Sequence, residues 1–337
     1  MTGADYIIKK LGDYQVKHIF MIVGGGAMYL NDAVIKQKKV QYICNHHEQA
    51  STMAAECYSR ITGNIGVVLV TSGAGDTNTF TGLIGAWWDS IPLMIISGNA
   101  RVPLLTYKSP KLRQLGVQDT RIVDMVKPIT KYAVCVYDPN EVAYHVEKAY
   151  YLAKSGRPGP VWLDIPLDVQ AAQVDEKKLT HFTPDEHRKM DLVPIVKKTI
   201  AKIKSSKKPA IIVGSGIRLS GSYELFHKVL KKLKIPVTTS LTAHDVMWED
   251  HPNYGGRFGP YGDQRGNELV NEADCLLILG ERLYLWQIGY DFENWAKDAY
   301  KIMVDIDKEE LNKLTMRTQL KVQADVKDFL EALDKQL

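Results

Sequence analysis

The sequence is poor in cysteine and contains no long apolar run. Its four cysteines stand among apolar neighbours without a CxxC pair, at Cys44, Cys57, Cys135 and Cys275. We therefore expect buried free thiols rather than disulfides or a zinc site. No apolar stretch has the length of a membrane span, and the N-terminal segment MTGADYIIKKLGDY lacks the apolar core of a signal peptide. These absences predict a cytoplasmic protein without a membrane partner.

Blocks of like charge are also lacking. The 337 residues are 45% hydrophobic and 24% charged, and the formal net charge is only +4. The lysine pairs Lys207-Lys208 and Lys231-Lys232 are typical of solvated helix ends. We therefore expect no nucleic-acid partner, and the length favours two domains that each bury a core.

What the sequence does contain is a series of apolar runs of strand length, with helical patterns between them. Near-continuous apolar strands that alternate with helices indicate parallel sheets covered on both faces. The pattern predicts an α/β protein with two doubly wound parallel-sheet domains. A polar stretch separates them, with a boundary near residue 185 and an amphipathic helix from about Leu192 to Ile203. The predicted strands are HIFMIV, VQYIC, IGVVLVTS, PLMIISG and PVWLDIP, then PAIIVGSG, IPVTTS, DCLLILG and KIMVDID.

Two glycine-rich turns follow strands in the first predicted domain. VGGGAM begins at Val23 and TSGAGDTN begins at Thr71, and each leads into a helical pattern. Between them, HHEQAS follows a third strand and places Glu48 in the first turn of a helix. Ligands of open parallel sheets bind beyond the carboxyl ends of the strands, where glycine allows close approach of the backbone. We expect both turns and Glu48 to face one site.

Common motifs do not explain these residues. HExxH would need a second histidine where Ser51 stands, so a zinc protease is excluded. The absence of GxGxxG and of GK[ST] disfavours a nicotinamide-dependent oxidoreductase and a P-loop enzyme. Taken singly, Glu48 is also consistent with the preference of acidic residues for a first helical turn, and the glycines with ordinary tight connections.

The order of the segments is more specific. HIFMIVGGGAMYLNDAV, HHEQASTMAAECYSRITGNIGVVLVTSGAGDTN, WWDSIPLMIISG, GVQDTRIVDMVKPITKY and SGRPGPVWLDIPLDVQ follow one another along the chain. In this order they resemble the acetolactate synthase family of thiamine-diphosphate-dependent enzymes. The resemblance implies a pyrimidine-binding domain at residues 1–175, a linker at 176–190 and a Rossmann-like central domain at 191–337. It also implies a homo-oligomer, dimer or tetramer, with sites between chains.

In that family a glutamate hydrogen-bonds a ring nitrogen of the cofactor's aminopyrimidine and so promotes proton transfer at the ring. Glu48 is the matching residue. Gly25 and Gln118 match positions beside the reacting carbonyl, although a tight turn and an exposed amide are the alternative explanations. The resemblance further implies thiamine diphosphate contacts at Val23, Gly24, Gly26, Glu48, Thr71, Ser72, Gly73 and Asn78.

Two further cofactors follow from the resemblance. FAD would lie in the central domain, although the family's Asp-Asp-Arg segment is replaced by ERLYLWQIG. Mg²⁺ would bind through a Gly-Asp-Gly motif followed by Asn, which this sequence lacks, so we expect no metal ligand in this chain. A C-terminal diphosphate-binding domain is therefore expected to be absent, and the chain alone to be inactive. The candidate FAD residues are Arg157, Gly259, Gly262, Arg282 and Asp305.

Several alternatives stay open at this point. The chain can be a fragment, one subunit of a split enzyme whose partner carries the diphosphate-binding domain, or a non-catalytic binding module. The implied reaction decarboxylates a 2-oxo acid, with pyruvate expected, and transfers the acyl unit to a second carbonyl compound. That acceptor would be pyruvate or 2-oxobutyrate in branched-chain amino-acid biosynthesis. Since Val23 replaces a family proline and Ile22 an aromatic residue, a keto sugar of surface-polysaccharide biosynthesis is the alternative acceptor.

Overall fold

A computed structural model of the chain describes residues 1–185 and 190–337. These residues form two compact units, Met1–Glu186 and His187–Leu337. Each unit contains one six-stranded sheet. The expected linker at 176–190 includes a 3₁₀ turn at Glu176–Lys178, and its residues 186–189 lie outside the described part.

The sheet of the first unit is parallel throughout, in the order β2-β1-β3-β4-β6-β5. Its central strands are buried at every position because helices cover both faces, as the near-continuous apolar runs predicted. The strands are β1 His18–Met21, β2 Gln41–Cys44, β3 Gly66–Val70, β4 Leu93–Asn99, β5 Tyr132–Cys135 and β6 Val161–Pro166.

Eight helices accompany this sheet, and their ends follow recognisable signals. The first begins with a capping box between Thr2 and Asp5. The third ends at Gly63, whose φ of +68° lies in the left-handed region that glycine adopts without strain. The helices are α1 Gly3–Asp13, α2 Met28–Lys36, α3 Glu48–Thr62, α4 Ala74–Thr77, α5 Phe80–Trp88, α6 Ile122–Val126, α7 Val142–Lys154 and α8 Leu167–Ala171.

The second unit repeats the architecture with the strand order β12-β11-β10-β7-β8-β9, again all parallel. Its strands are β7 Pro209–Val213, β8 Val237–Thr239, β9 Tyr254–Arg257, β10 Cys275–Leu279, β11 Tyr300–Asp305 and β12 Leu320–Gln323. Its helices are α9 Val193–Ser205, α10 Gly216–Leu219, α11 Tyr223–Leu233, α12 Gln264–Glu272, α13 Leu285–Ile288, α14 Lys308–Asn312 and α15 Val326–Gln336.

The predicted fold class is confirmed, since all nine apolar runs form strands and both sheets are parallel. The helix expected at Leu192–Ile203 is α9. Three strands were missed, and all three lie at sheet edges: β5, β9 and β12. An edge strand is covered less completely, so its sequence need not be a continuous apolar run. YGGR and LKVQ illustrate this.

The expectation that all four thiols are buried is wrong for two of them. Cys135 and Cys275 are buried, whereas Cys44 and Cys57 are exposed. Cys44 ends the edge strand β2, whose residues are all exposed, and Cys57 lies on the outward face of α3. Among the described residues, no helix combines the length and apolar character needed to cross a bilayer.

Candidate functional site

The first sheet reverses its winding between β1 and β3, because β2 pairs with the opposite side of β1. Such a reversal opens a crevice at the carboxyl ends of the two strands, where ligands of doubly wound sheets bind. Both glycine-rich turns lie there, one after β1 and one after β3. The tertiary structure therefore brings together the two turns that are some fifty residues apart in sequence, as their positions after strands predicted.

Close packing between the two turns requires glycine. The amide of Gly26 donates to Thr71 Oγ1 (3.0 Å). A Cβ atom at Gly24 would lie 2.4 Å from the Thr71 Cβ, and one at Gly26 would lie 2.9 Å from the Ser72 Oγ. These glycines are thus explained by contact within the protein. Ser72 as a whole is buried in this contact, 1% exposed, so it supports the turn from within.

In the first glycine-rich loop, Gly25 is the glycine with free space beside it. It is exposed, and a Cβ atom there would meet nothing within 4 Å. Its neighbours are held in place, because the Gly26 carbonyl accepts from the buried Gln170 (2.7 Å) and the Gly24 carbonyl accepts from Ala27 (3.1 Å). Val23 is 64% exposed at the mouth of the loop. The loop therefore presents rigid, uncovered main chain at Gly25.

Glu48 is the first residue of α3 and is half-buried. Its Oε2 accepts a hydrogen bond from Asn78 Nδ2 (2.9 Å), which comes from the end of the second turn. Its Oε1 lies 3.5 Å from the position that a Cβ atom of Gly75 would occupy. One carboxylate oxygen is thus held by an amide, and the other faces a residue without a side chain.

Gln118 joins the same edge through Gly73. Gly73 has φ +74°, and a Cβ atom there would lie 2.9 Å from the Gln118 Cβ. Gln118 is exposed and itself has φ +55°, an unusual conformation for a residue other than glycine. The first-unit residues expected from sequence therefore form one contiguous cluster, in which Ser72 is buried. They are Val23, Gly24, Gly25, Gly26, Glu48, Thr71, Ser72, Gly73, Asn78 and Gln118.

Buried carboxyl groups behind this surface were not anticipated. Asp76 and Asp164 are both 0% exposed. Burial raises the pKa of Asp76 to about 8, with a further increase from the charge of Asp164. Burial also raises the pKa of Asp164 to about 7, although hydrogen bonds from Asn99 and Ser97 oppose the increase. The TSGAGDTN pattern indicated a turn, but burial of its aspartate depends on long-range packing.

The candidate FAD residues do not share this surface. Arg157 precedes β6, and its Nε donates to the Ser90 hydroxyl (2.8 Å), which precedes β4. Both lie at the amino ends of the strands, the edge opposite to Glu48. The other four belong to the second unit, at the carboxyl ends of β9, β10 and β11: Gly259, Gly262, Arg282 and Asp305.

Two family models match the chain. Residues 1–121 match the family described as thiamine pyrophosphate enzyme, N-terminal TPP binding domain. Residues 196–333 match the thiamine pyrophosphate enzyme central domain. The chain belongs to the thiamine pyrophosphate enzymes.

Its similar relatives are acetolactate synthase large subunits. The protein of Lactococcus lactis subsp. lactis is 33% identical over 337 residues, which cover 98% of this chain and 56% of that protein. A probable large subunit from Methanocaldococcus jannaschii is 33% identical over 338 residues, covering 99% and 56%. The isozyme 3 large subunit of Escherichia coli is 28% identical over 340 residues, covering 99% and 57%. The chain thus spans somewhat more than half the length of these relatives.

For a thiamine pyrophosphate enzyme, the residues of the first unit fit the pyrimidine end of the cofactor. A flat ring needs a surface without protruding side chains. Gly25 is exposed, and the buried Gly75 places no side chain against the Glu48 carboxylate. Asn78 orients that carboxylate. Among residues 1–185 and 190–337, no three His, Cys, Asp or Glu side chains are grouped to hold a metal ion.

The residues of the second unit do not fit a flavin dinucleotide in the same way. Its switch point lies between β7 and β10, where the Gly216 amide donates to the Gly280 carbonyl (3.0 Å). A Cβ atom at Gly214 would lie 2.3 Å from that carbonyl oxygen and 2.6 Å from Glu281 Oε2. Neighbouring main chain thus occupies the space beside these glycines that a ligand would need. Glu281 is 4% exposed, so a diphosphate would face a buried carboxyl group.

The remaining candidate FAD residues also make contacts with other residues of the second unit. A Cβ atom at Gly259 would lie 2.4 Å from Gln287 Nε2, and one at Gly262 would lie 2.2 Å from the Arg257 carbonyl oxygen. Asp305 accepts from the Asp307 amide (2.9 Å). The guanidinium of Arg282 lies 4.7 Å from the ring centre of Tyr284. These four residues are therefore held by contacts within the second unit.

Proposed function

We propose that this chain supplies the pyrimidine-binding half of the active site in a thiamine-diphosphate-dependent carboligase of the acetolactate synthase type. The observation that carries the proposal is the Glu48 carboxylate. One of its oxygens is fixed by Asn78, and the other faces Gly75 at the switch point of the first sheet. The similarity to acetolactate synthase large subunits over nearly the whole chain supports the same function.

The residues around Glu48 would hold the aminopyrimidine. Glu48 Oε1 is placed to share a proton with a ring nitrogen, and the hydrogen bond from Asn78 prevents the carboxylate from turning away. Thr71 and Gly73 would lie against the ring through their main chain. When bound, thiamine diphosphate supplies the nucleophilic carbon and the electron sink that decarboxylation of a 2-oxo acid needs.

The substrate side of the site is the exposed loop at Gly25 together with Gln118. Uncovered backbone amides at a rigid loop can stabilise negative charge that develops on a carbonyl oxygen. Val23 borders this opening, and its exposure makes it a candidate determinant of the acceptor. We propose pyruvate as donor and pyruvate or 2-oxobutyrate as acceptor, with a keto sugar as the alternative. Product analysis with each acceptor offered separately distinguishes these choices.

A second chain is proposed to complete the site. Helix α3 buries Ser51, Thr52, Ala55 and Ser59 against its own unit. Its exposed face carries the apolar stripe Ala50, Met53, Cys57 and Ile61, spaced three and four residues apart. An exposed apolar stripe on a helix whose opposite face is already packed against its own unit is typical of a surface that binds a partner. Since this helix begins with Glu48, a subunit packed against the stripe would lie next to the site.

The diphosphate and its Mg²⁺ are proposed to bind to a further polypeptide segment, carried by a longer form of this chain or by a separate subunit. The sequence has no Gly-Asp-Gly motif with a following Asn, and Gly262-Asp263 continues into Gln264. The competing proposal is a non-catalytic binding module. A module without catalytic activity would have no chemical need for the hydrogen bond by which Asn78 orients Glu48.

Substitution of Glu48 tests the proposal. In the assembled enzyme, Glu48→Gln is expected to lower the rate of carbon dioxide release from pyruvate by about 100-fold or more, because the amide cannot exchange a proton with the ring nitrogen. Thiamine diphosphate and Mg²⁺ should be required. Glu56→Gln on the same helix, which weakens a partly buried pair with Arg60 away from the glycine turns, serves as control and should keep nearly full activity. Undiminished turnover by Glu48→Gln would exclude the assignment.

A further inference from the structure

The second glycine turn rests on a carboxyl group that the proposed chemistry does not use. Asp76, the third residue of α4, is fully buried. Its Oδ2 accepts a hydrogen bond from the Gly73 amide (3.1 Å). Its Oδ1 is buried without a hydrogen-bond partner among the described residues. Asp76 therefore contacts the turn from the interior side, opposite to the surface proposed for the ring.

The amide that Asp76 holds belongs to a residue in a demanding conformation. Gly73 has φ +74°, and there is no room for a side chain between it and Gln118. Gln118 also has positive φ, at +55°. Two left-handed residues from different segments are thus in direct contact. For a residue other than glycine, such as Gln118, this conformation persists only where the surroundings enforce it, and such residues cluster at functional sites.

The Gln118 segment has its own supports beside the same buried region. Asp119 Oδ2 accepts from the Thr106 amide (2.8 Å). Asn99 Nδ2 donates to the Thr120 carbonyl (3.4 Å) and to Asp164 Oδ2 (2.8 Å). Several titratable groups act on this region, and Glu48 lies on the other side of Gly75. They include Asp76, Asp119, Asp164, Cys135, Tyr107 and Tyr137.

We propose that Asp76 is a positioning residue, which fixes the Gly73 amide and thereby the contact between Gly73 and Gln118. The turn that faces the cofactor ring and the segment that faces the substrate are then held as one surface. This inference rests on the proposed function, since it assigns Asp76 to the same site. Asp76 touches neither ring nor substrate.

The protonation state of Asp76 allows the proposal to be tested with two variants, Asp76→Asn and Asp76→Ala. With its pKa raised to about 8 by burial and by Asp164, the carboxyl group is mostly neutral at neutral pH. A neutral carboxyl group offers one carbonyl oxygen to the Gly73 amide, and asparagine has the same shape and the same acceptor. Asp76→Asn should therefore preserve the support, whereas Asp76→Ala removes it.

Amide hydrogen exchange of this chain tests the coupling. In Asp76→Ala we expect exchange to accelerate about tenfold or more both in residues 71–79 and in residues 113–121. Asp76→Asn should retain protection close to the wild type in both segments. Asp32→Ala, which removes an exposed partner of Lys36 on α2, is the control and should change neither segment.

Each of the following exchange results would overturn the inference. Acceleration confined to residues 71–79 would limit Asp76 to local stability of the turn. Equal loosening by Asp76→Asn and Asp76→Ala would show that the hydrogen bond to Gly73 is not the cause. If Asp76→Ala fails to fold, the asparagine variant alone decides, since loss of protection at 113–121 in that variant contradicts the proposal.

The assembled enzyme gives an independent readout. Asp76→Ala is expected to lower kcat about tenfold with a smaller change in KM, and Asp76→Asn to restore it. A wild-type kcat for Asp76→Ala would contradict the inference. The exchange measurement does not depend on turnover, so failure of the Glu48 assignment and failure of the Asp76 inference can be distinguished.

Discussion

At the scale of single residues, the unusual feature of this protein is a pair of buried acids behind a glycine turn. Asp164 accepts from Ser97 (2.8 Å) and Asn99 (2.8 Å), so its charge is partly satisfied. Asp76 accepts from the Gly73 amide (3.1 Å), and its Oδ1 has no hydrogen-bond partner among the described residues. Burial raises the pKa of both acids, to about 7 for Asp164 and about 8 for Asp76. Hydrogen bonds to the ionised form oppose the increase in each.

This pair predicts a pH dependence of stability. The pKa of each acid is raised above its ordinary value of 3.8, so between that pH and about 8 the folded chain binds more protons than the unfolded chain. The contribution to the free energy of unfolding is therefore fully present below pH 3.8 and is lost as the pH rises through the folded pKa.

Asp76→Asn removes one of the two titrations. From about pH 5 to about pH 9, we expect the free energy of unfolding of the first unit to fall less steeply in the variant than in the wild type. Exchange of the β6 amides under denaturant reports on this unit. Parallel pH profiles for variant and wild type would contradict the assignment of the slope to Asp76.

At the scale of elements, the position of Glu48 depends on how closely α3 approaches β3. A Cβ atom at Gly66 would lie 2.1 Å from the Ala55 carbonyl oxygen. The helix therefore rests directly on the backbone of the strand. Any displacement of α3 moves Glu48 away from Asn78, which belongs to a different segment.

Gly66→Ala is accordingly expected to destabilise the first unit by about 1–3 kcal/mol through overpacking. It should also lower activity of the assembled enzyme, because α3 must shift. Gly85→Ala on α5 is a matched control, since nothing lies within 4 Å of its Cβ position. That change should be neutral or stabilise by about 0.5–1 kcal/mol. Thermal unfolding of both variants measures the difference, and equal stability would argue against close packing at Gly66.

At the scale of the whole molecule, the outward stripe of α3 is the surface most directly linked to the site. Ile61 is 85% exposed at the end of this stripe. An exposed apolar face on a helix that is already buried on its other side predicts a partner surface.

Ile61→Lys is therefore expected to weaken self-association by at least about tenfold, which sedimentation velocity at several protein concentrations can measure. Leu314→Lys is the matched control, because Leu314 is 98% exposed in the second unit. Equal association of both variants and the wild type would remove the stripe from the proposed interface.

The sequence by itself determined which segments form buried strands and where the glycine turns lie, because both signals are local. Apolar runs such as IGVVLVTS need only their own length and composition to indicate a buried strand. The first helical turn at Glu48 was predictable for the same reason. Family resemblance added the expected roles of Glu48, Gly25 and Gln118, which local patterns could not supply.

Only the tertiary structure decided which groups meet. The contacts of Asn78 with Glu48 and of Gly73 with Gln118 join segments that are distant in sequence. Burial of Asp76, exposure of Cys44 and Cys57, and the internal packing of Gly259 and Gly262 depend on the same long-range packing. The edge strands β5, β9 and β12 form because a neighbouring strand pairs with them. Such pairing cannot be predicted from the local sequence pattern alone.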